Sequence, residues 1–479
     1  MSVPRFYPWI NGTFVPVTDR DIDIVLNPMT GEPAAEVVRA NAADFEQAVA
    51  AAQSGFGLMR ALPRHARRDL LVKIAAALEH RRSEMGAAIA VSCGKPISQA
   101  LAEVDRAVIT FSLAADEARK FGGELVPLDV DSRAVGMEGI VQRFPIGPIS
   151  AISPFNFPLN LLVHKVAPAI AVGTSLVVKP PPQCPQLAYL LGAMMAECGL
   201  PAGAYNVLHL GLPLAEQLAT DPRFKLLTFT GSPTVGWHLK TVAGRKKVVL
   251  ELGGNAAAVV HEDAGDLDWV ASRLAAGAFS YAGQVCIKVQ RVLVHQPIYD
   301  SFVAKFVAAS KKLQVGDPLD PATVVGPVID QAAADRVESW TEEAISAGAT
   351  ALLRGRRIGT LLSPTILGNV PHDAKVSSRE IFGPVAIVQP YTDWSSALSM
   401  VNDSEFGLQA GIFTHHVNRI WEAFRTLEVG GVIANDFPTL RVDNFPYGGV
   451  KSSGFGREGI RYAMEDMSEP RMLVLNLNK

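Results

Sequence analysis

Three residues of the chain combine a chemically useful side chain with a position where a turn would present it. Cys286 follows Gly283-Gln284, which places its thiol at a backbone turn where it could act as a nucleophile. Glu251 ends an apolar strand beside two glycines, so its carboxylate could face a cleft. Asn156 lies between prolines and aromatics, where a rigid amide could stabilise an oxyanion. Each also has an ordinary interpretation: a small buried hydrophobe, a solvated strand-end acid and a turn-forming amide respectively.

Three further segments have the chemistry of a ligand site at strand ends. Lys179 follows an apolar strand and precedes three prolines, at the strand end where open α/β sheets bind ligands. Gly231 and Ser232 end another strand and open a helix, which offers free backbone N–H groups to phosphate. Glu380 and Phe382 provide a carboxylate and an aromatic ring on a rigid turn.

Two motifs near the C-terminus match familiar patterns in the wrong context. Gly454–Gly459 has the G-x-G-x-x-G spacing of dinucleotide-binding turns, but no strand precedes it and only 20 residues follow it. Tyr447 and Lys451 have the spacing of an acid/base pair, but that pair needs a helix, which two adjacent glycines disfavour. We therefore interpret residues 447–459 as one glycine-rich loop that runs near an important surface.

The elements that would position these residues form two successive α/β patterns. Apolar residues at helical spacing predict helices over residues 64–120. From residue 146, five strand-like runs alternate with helical segments, which predicts a parallel, doubly wound sheet. A second α/β pattern begins after residue 255, and we place the main boundary near Leu252.

Two segments fit neither pattern. Residues 125–144 predict a hairpin with its turn near Gly136–Gly139, and residues 470–479 predict an apolar, strand-like tail. Because an unpaired apolar strand is an aggregation hazard, we expect a partner subunit to cover the tail. Packing of the tail on its own domain is the alternative.

The composition excludes several functional classes. The chain has 479 residues and a formal net charge of -3, which provides no basic field for nucleic acid or an anionic membrane surface. Four cysteines are too sparse for a disulfide framework, and the ten histidines show no metal-ligand spacing. No secretory signal is visible, and the apolar stretch 159–178 contains residues that are costly in hydrocarbon. We expect a cytoplasmic protein with no nucleic-acid partner, membrane span or metal.

In this order and spacing, the motifs resemble those of the NAD(P)-dependent aldehyde dehydrogenase superfamily, including bacterial semialdehyde, lactaldehyde and phosphonoacetaldehyde-type members. The resemblance covers nearly the whole chain. It rests on seven motifs: Ser153-Pro-Phe-Asn-Phe-Pro, Lys179-Pro, Phe229-Thr-Gly-Ser, Leu250-Glu-Leu-Gly-Gly-Asn, Gly283-Gln-Val-Cys, Glu380-Ile-Phe-Gly-Pro and Pro446-Tyr-Gly-Gly-Val-Lys-Ser-Ser-Gly.

The resemblance implies an aldehyde dehydrogenase-like α/β fold with three parts. A variant Rossmann domain that binds NAD or NADP would take residues 1–124 and 145–251. An α/β catalytic domain would take residues 252–457. A β-hairpin oligomerisation arm would take residues 125–144 and 465–479, and it implies a homo-oligomer, a dimer or a tetramer.

The resemblance also implies a reaction, the oxidation of a small aldehyde to its carboxylic acid. Cys286 would attack the aldehyde to give a thiohemiacetal, and Asn156 with the Cys286 backbone N–H would hold the oxyanion. Hydride would pass to the nicotinamide, and Glu251 would activate the water that hydrolyses the thioester. A coenzyme A-acylating relative and an inactive structural relative are the alternatives, and Glu251 favours water.

Binding residues follow from the same resemblance. Lys179, Gly231 and Ser232 would lie at the adenosine ribose and pyrophosphate, while Glu380 and Phe382 would lie at the nicotinamide end. The other expected cofactor contacts are Ser153, Phe155, Leu252 and Pro182. The expected substrate contacts are Arg441, Val285 and Phe157.

Several departures from the family pattern bear on specificity. Pro182 stands where many NAD-specific relatives carry a ribose-gripping Glu, so we expect NADP to be tolerated as well as NAD. Val285 replaces an Arg of phosphate-handling relatives, which disfavours a phosphorylated substrate. We predict that Arg441 holds the anionic tail of a semialdehyde, with a structural pair to Asp443 as the alternative. Lys288 could favour the thiolate of the cysteine two residues before it, although we expect it to point away along the strand.

Overall fold

A computed structural model describes residues 3–477 of the chain. Its N-terminal part forms short strands and then four helices, with helix across residues 64–120 as predicted. The fourth helix buries Val104, Ala107 and Phe111 on one face, as the apolar spacing requires. The elements are β1 (Arg5–Phe6), β2 (Trp9–Ile10), β3 (Thr13–Phe14), β4 (Ile22–Leu26), β5 (Pro33–Val38), α1 (Ala42–Ala61), α2 (Arg64–His80), α3 (Arg82–Cys93) and α4 (Ile97–Lys120).

The predicted hairpin exists, and its turn ends closer to Gly136 than to Gly139. It is formed by β6 (Glu124–Val126) and β7 (Met137–Pro145), which pair antiparallel. The predicted turn near Gly136–Gly139 is correct at one end only, because Gly136 (φ 80°) lies in the turn before β7 whereas Gly139 lies inside β7 opposite Val126. A Cβ at residue 139 would lie 2.9 Å from the Val126 carbonyl oxygen, so this glycine permits close strand approach rather than a turn.

The five predicted strand–helix alternations are present after residue 146. Their strands pair in parallel and are buried on both faces, which explains their continuous apolar runs. No helix among residues 3–477 is both long and apolar enough to cross a membrane. The elements are β8 (Ile149–Ile152), α5 (Asn160–Val172), β9 (Leu176–Lys179), α6 (Gln186–Glu197), β10 (Tyr205–Val207), α7 (Leu212–Thr220), β11 (Leu226–Thr230), α8 (Pro233–Val242) and β12 (Lys247–Glu251).

A second α/β unit follows, as the sequence predicts. The elements are β13 (Ala257–Val260), α9 (Leu267–Phe279), β14 (Arg291–His295), α10 (Tyr299–Lys311), α11 (Gln331–Ser346), β15 (Thr350–Leu353), β16 (Arg357–Ile358), β17 (Leu361–Leu362), β18 (Thr365–Gly368), α12 (Lys375–Ser378), β19 (Val385–Tyr391), α13 (Trp394–Asn402), β20 (Phe406–Gly407), β21 (Gln409–Phe413), α14 (Val417–Thr426) and β22 (Gly431–Ala434).

The C-terminal segment returns to both the first unit and the hairpin. Its elements are β23 (Val450–Lys451), β24 (Gly454–Phe455), α15 (Ile460–Asp466) and β25 (Ser468–Asn476). Residues 447–459 contain no α-helix, as predicted for a glycine-rich loop. β25 pairs antiparallel with β7 from Ser468 opposite Pro145 to Asn476 opposite Met137, so the tail belongs with the hairpin. The last two residues of the predicted tail, 478 and 479, lie outside the described range.

Two large sheets position the candidate site between them. The first has the strand order β24-β12-β11-β8-β9-β10-β2-β3, and the second has β15-β18-β19-β14-β13-β21-β22. Glu251 ends β12 in the first sheet, and Ala257 begins β13 in the second sheet a few residues later. The carboxyl edge of the first sheet therefore adjoins the amino edge of the second. β24 lies within residues 252–457 yet is hydrogen-bonded to the first sheet.

Candidate active site

Cys286 is presented by a strained turn. α9 ends at Phe279, and the next residues include three in the left-handed region: Tyr281 (φ 53°), Ala282 (φ 51°) and Gly283 (φ 67°). Such a conformation costs roughly 1–2 kcal/mol at a non-glycine residue. Burial of Tyr281, whose hydroxyl donates to the Cys93 carbonyl at 3.3 Å, holds the turn in place. Strain maintained in this way is typical of a functional site.

The Cys286 thiol is hydrogen-bonded to the hydroxyl of Tyr447. The Sγ and Oη atoms are 3.0 Å apart. Burial raises the pKa of the thiol to about 12, and the hydrogen bond with Tyr447 acts in the opposite direction. The thiol is therefore protonated at neutral pH in this state of the protein.

Glu251 is a buried carboxylate without a hydrogen-bond partner among the residues described. Both of its side-chain oxygens are shielded from solvent and unpaired. Burial raises the pKa of Glu251 well above its ordinary value, and the charge of Glu458 raises it further. Gly448 passes so close that a Cβ there would lie 2.8 Å from Oε1 of Glu251. A carboxylate held in this way is ready to accept a proton.

Asn156 lies in the loop after β8, and its amide points at the cysteine turn. Its side-chain Nδ2 donates to the Gln284 carbonyl at 3.1 Å, and the residue is buried. Gln284 is fixed in turn by the Ile329 backbone N–H, which donates to its Oε1 at 2.8 Å. The Asn156 amide is thus held against Gln284, which lies two residues before Cys286 in the sequence.

A cavity of about 150 Å³ opens beside the cysteine. Its wall is mostly apolar and aromatic, with cationic side chains on one side. The lining residues are Lys95, Gln99, Arg106, Phe157, Leu161, Ala276, Gly277, Ser280, Tyr281, Val285, Cys286, Ile287, Thr439, Arg441 and Tyr447. The three predicted substrate contacts, Arg441, Val285 and Phe157, therefore share one wall with the thiol.

Arg441 lies between the cavity and a buried set of ion pairs. Its guanidinium is 3.0 Å from Glu458, 3.8 Å from Asp443 and stacked 3.8 Å above the ring of Tyr447. Arg106, on the exposed side, donates to Asp443 at 2.6 Å. Arg441 thus lines the cavity and is paired with buried acids, with Glu458 nearer than the Asp443 expected from the sequence.

Lys165 completes this network beneath Glu251. Its ammonium donates to Glu458 at 2.9 Å and to Thr228 and Thr230 at 3.0 and 2.7 Å. Burial alone would raise the pKa of Glu458, but the charges of Lys165 and Arg441 outweigh it and lower the pKa to about 2. The permanently negative Glu458 then opposes ionisation of Glu251.

The residues expected at the adenosine end follow the carboxyl edge of the first sheet. Lys179 ends β9, Gly231 follows β11, and exposed Ser232 precedes α8 without capping it through its side chain. Pro182 is exposed in the turn after β9. The hydroxyl of Ser153 is buried and has no partner in the described part of the chain, so it is available to a ligand.

Close packing at this edge depends on glycine. A Cβ at Gly236 in α8 would lie 2.4 Å from Leu252, which allows the helix to approach the end of β12. Such a small-residue contact between helix and sheet suits a nucleotide-binding edge. The residues present therefore fit a dinucleotide.

The residues expected at the nicotinamide end reach the site from the second unit. Glu380 accepts a hydrogen bond from the Gly254 backbone N–H at 2.9 Å, and burial raises its pKa to about 7. Phe382 meets Phe155 edge-to-face, with ring centroids 5.9 Å apart. The two rings join the Asn156 loop to the turn that carries Glu380.

Lys288 does not serve the thiol. Its ammonium donates to the Val385 carbonyl at 2.6 Å, along the strand and away from the cysteine, and burial lowers its pKa to about 7. This is the second of the two orientations considered for it from the sequence.

Tyr447, Lys165, Glu458 and Arg106 are site residues that the sequence reasoning missed. Tyr447 was considered only as half of an acid/base pair with Lys451, whose side chain instead donates to the Asn402 and Ser404 carbonyls. Lys165 lies within the apolar stretch 159–178. That stretch was the available signal, because a fully buried lysine needs a buried anion.

The comparisons with known proteins agree with this geometry. The sequence model of the aldehyde dehydrogenase family matches residues 14–473. The chain belongs to the aldehyde dehydrogenase family. The 3-sulfolactaldehyde dehydrogenase of Priestia aryabhattai is 43% identical to this aldehyde dehydrogenase over 477 residues, covering 99% of each chain.

Two solved aldehyde dehydrogenase-fold structures extend the comparison. Aldehyde dehydrogenase 21 of Physcomitrella patens, in complex with the reaction product succinate, matches with a TM-score of 0.97 at 43% identity and covers 100% of each chain. The NADP-dependent glyceraldehyde-3-phosphate dehydrogenase of Bacillus halodurans, complexed with NADP, matches with a TM-score of 0.96 at 34% identity and covers 99% of each chain. The enzyme is thus an oxidoreductase of small aldehydes that uses NAD or NADP.

Proposed function

We propose that the enzyme oxidises a small aldehyde with an anionic tail to its carboxylic acid, through a thiohemiacetal and a thioester on Cys286. The observation that carries the proposal is the convergence of three groups from distant segments. The Cys286 thiol lines the cavity, and the Asn156 amide donates to the Gln284 carbonyl two residues before it in the chain. Glu251, which has no hydrogen-bond partner in the described structure, is close enough for its charge to act on the same thiol.

In the first step, the Cys286 sulfur bonds to the aldehyde carbon, the S–H bond breaks and its proton is released to solvent. The hydrogen bond from Tyr447 assists, because it stabilises the thiolate against the effect of burial. The Asn156 amide exchanges the Gln284 carbonyl for the developing oxyanion, which the backbone N–H of Cys286 also meets. NAD or NADP, when bound, would supply the acceptor for the hydride that leaves the thiohemiacetal carbon, and Glu380 and Phe382 would hold its nicotinamide end.

In the second step, Glu251 takes a proton from water, and the resulting hydroxide attacks the thioester carbon. A base works best when its pKa lies near the operating pH, and the raised pKa of Glu251 moves it in that direction. The sulfur leaves, the acid is released, and Cys286 is reprotonated.

We assign the parts of the chain to these tasks as follows. Residues 1–124 and 145–251 form the cofactor domain, with Lys179, Gly231, Ser232, Ser153 and Leu252 along the binding edge. Residues 252–457 form the catalytic domain, and residues 125–144 with 465–479 form an arm for a homo-oligomer. The four cysteines are free, which fits a cytoplasmic enzyme.

The anionic tail is argued from the charge along the cavity wall. Lys95, Arg106 and Arg441 all line the cavity, and they are paired with Glu103, Asp443 and Glu458 respectively. A guanidinium fork matches a carboxylate or a sulfonate. The relative named for 3-sulfolactaldehyde and the structure holding succinate both handle anions of this kind.

A steady-state comparison of aldehydes tests the proposal. NAD(P)H formation is followed with succinic semialdehyde, 3-sulfolactaldehyde and the uncharged butyraldehyde. We expect the two anionic aldehydes to show the higher kcat/KM. In Arg106→Gln and Arg441→Ala, KM should rise for the anionic aldehydes and stay unchanged for butyraldehyde. Equal KM for succinic semialdehyde in Arg441→Ala and the parent enzyme would leave Arg441 with a structural role only.

A further inference from the structure

Two histidines lie at the carboxyl edge of the second sheet, away from the active site. Each has one ring nitrogen without a hydrogen-bond partner in the described structure. β13, β14 and β19 are neighbouring parallel strands, and their ends bring together His261, His295 and Tyr391. The same strands run away from Cys286, which precedes the amino end of β14. The aldehyde reaction described above uses none of these residues.

In each histidine, one ring nitrogen has a hydrogen-bond partner and the other is available as a ligand atom. His261 Nδ1 is 2.7 Å from the Tyr391 hydroxyl, which itself donates to the Val260 carbonyl at 3.4 Å. The hydroxyl therefore accepts from Nδ1–H, and the lone pair of His261 resides on Nε2. That atom is buried without a partner in the described structure, on a residue that is 2% exposed.

His295 has the opposite assignment of its nitrogens. Its Nε2 lies 3.3 Å from the Thr392 carbonyl, an acceptor only, so Nε2 carries the hydrogen. The remaining nitrogen, Nδ1, then has a lone pair, and it faces Oε2 of Glu262 at 3.4 Å. A lone pair facing a carboxylate is unfavourable unless a proton or a cation lies between them.

We propose that His261, His295 and Glu262 bind a divalent transition-metal ion of the Zn²⁺ type. The three ligand atoms already lie within 4.8 Å of one another. Two imidazoles, a carboxylate and a water complete the four-coordinate geometry that zinc prefers. The contacts to Tyr391 and Thr392 are the outer hydrogen bonds that orient histidine ligands in such sites.

Binding requires one small rearrangement. The two imidazole rings are stacked with centroids 4.4 Å apart and planes inclined by 24°, so their lone pairs do not yet converge. His295 is the more exposed of the two, and rotation of its ring about the Cβ–Cγ bond brings Nδ1 toward Nε2 of His261. The ion would join the ends of β13 and β14, so we assign it a structural role.

The ligand spacing along the chain does not predict this site. His261 and Glu262 are adjacent in the sequence, but His295 comes only after α9, at the end of β14. The three residues therefore do not form a local metal-binding motif. Only the parallel pairing of β13 with β14 makes the two histidines neighbours.

Zinc titration of the full chain tests the proposal. The parent for the test is Cys286→Ser, which removes the thiol as a competing ligand. We expect isothermal titration with Zn²⁺ to show one site per chain, and Co²⁺ in its place to give the intense visible absorption of tetrahedral coordination. Glu262→Gln and His295→Gln should weaken Zn²⁺ binding by roughly tenfold or more. The thermal midpoint should rise with Zn²⁺ in the parent and not in these two variants.

A matched control separates the site from adventitious surface binding. His238 and Glu216 form an exposed histidine–carboxylate pair at 2.7 Å, so His238→Gln should leave the Zn²⁺ affinity unchanged. The Glu262 side chain is 51% exposed, so its substitution does not threaten folding. The proposal is overturned if Glu262→Gln and His295→Gln bind Zn²⁺ as tightly as the parent, or if bound Co²⁺ gives only a weak octahedral spectrum.

Discussion

Burial and the charge of Glu458 oppose the ionisation of Glu251, and this gives a prediction for both activity and stability. In Glu251→Gln we expect kcat to fall by about 10²–10⁴-fold, as for loss of a general base. Because the folded-state pKa of Glu251 is raised, the unfolded chain loses this proton at lower pH than the folded one, and folding stability falls as pH rises between the two pKa values. The neutral amide of the Glu251→Gln variant does not ionise, so it removes this loss of folding stability at high pH.

Thermal denaturation across pH measures the second effect. Above the folded-state pKa, Glu251→Gln should unfold at a higher temperature than the parent, and the difference should disappear in acid. Glu422→Gln, on the exposed face of α14, is the control and should show neither change. A Glu251→Gln variant that is less stable at every pH would contradict an uncompensated charge at this position.

Pro182 leads to a prediction about the cofactor. Pro182, exposed after β9, brings no carboxylate of its own to repel a 2′-phosphate, so we expect kcat/KM with NADP to be comparable to or above that with NAD. Pro182→Glu should lower kcat/KM for NADP by about tenfold or more relative to NAD, and Pro182→Gln should change the ratio little. A parent enzyme whose kcat/KM with NADP is about a hundredfold below that with NAD, a difference of ~2.7 kcal/mol, would refute the idea.

At the scale of an element, the turn before Cys286 is the feature most sensitive to substitution. Gly283 has φ 67°, and a Cβ there would lie 2.4 Å from the Gly383 carbonyl oxygen. Gly283→Ala should therefore lower both the melting temperature and kcat, because the turn must shift to admit a methyl group. Gly348→Ala is the matched control: its φ is 108°, but nothing lies within 4 Å of the added Cβ. The control should lose roughly 1–2 kcal/mol of stability and retain kcat. Equal kcat in both variants would show that the turn does not position the thiol.

The elements also show what a sequence can and cannot reveal. The alternation of apolar runs and helical segments predicts β8–β12 and their helices, because each strand is buried on both faces and its apolar run is continuous. Of the two glycines that predict the hairpin turn, Gly136 lies in it, whereas Gly139 meets a carbonyl across the strand. Local pattern cannot distinguish these two uses of glycine, since the difference is a contact with β6.

At the scale of the whole molecule, the site depends on contacts between residues far apart in the chain. The sequence predicts Cys286, Glu251 and Asn156 individually, each from a turn or a strand end. It does not reveal Tyr447, which is 161 residues from Cys286, or the pair of Lys165 with Glu458, which spans 293 residues. These contacts form because the C-terminal loop passes across the end of β12. Hydrophobic periodicity in the sequence does not predict such a long-range contact.

The arm gives the prediction that belongs to the whole molecule. β25 pairs with β7 inside the chain, yet its apolar side chains remain exposed, among them Leu473 and Leu475 on one face. Exposed apolar residues in a long edge strand mark an interaction surface. We expect the enzyme to be a dimer or tetramer by sedimentation, and Leu473→Lys combined with Leu475→Lys to shift it to a smaller species. Leu58→Lys on α1, equally exposed outside the arm, should leave the mass unchanged. A parent enzyme that sediments as a monomer at every concentration would remove the arm's proposed role, and the exposed face of β25 would then need a different partner.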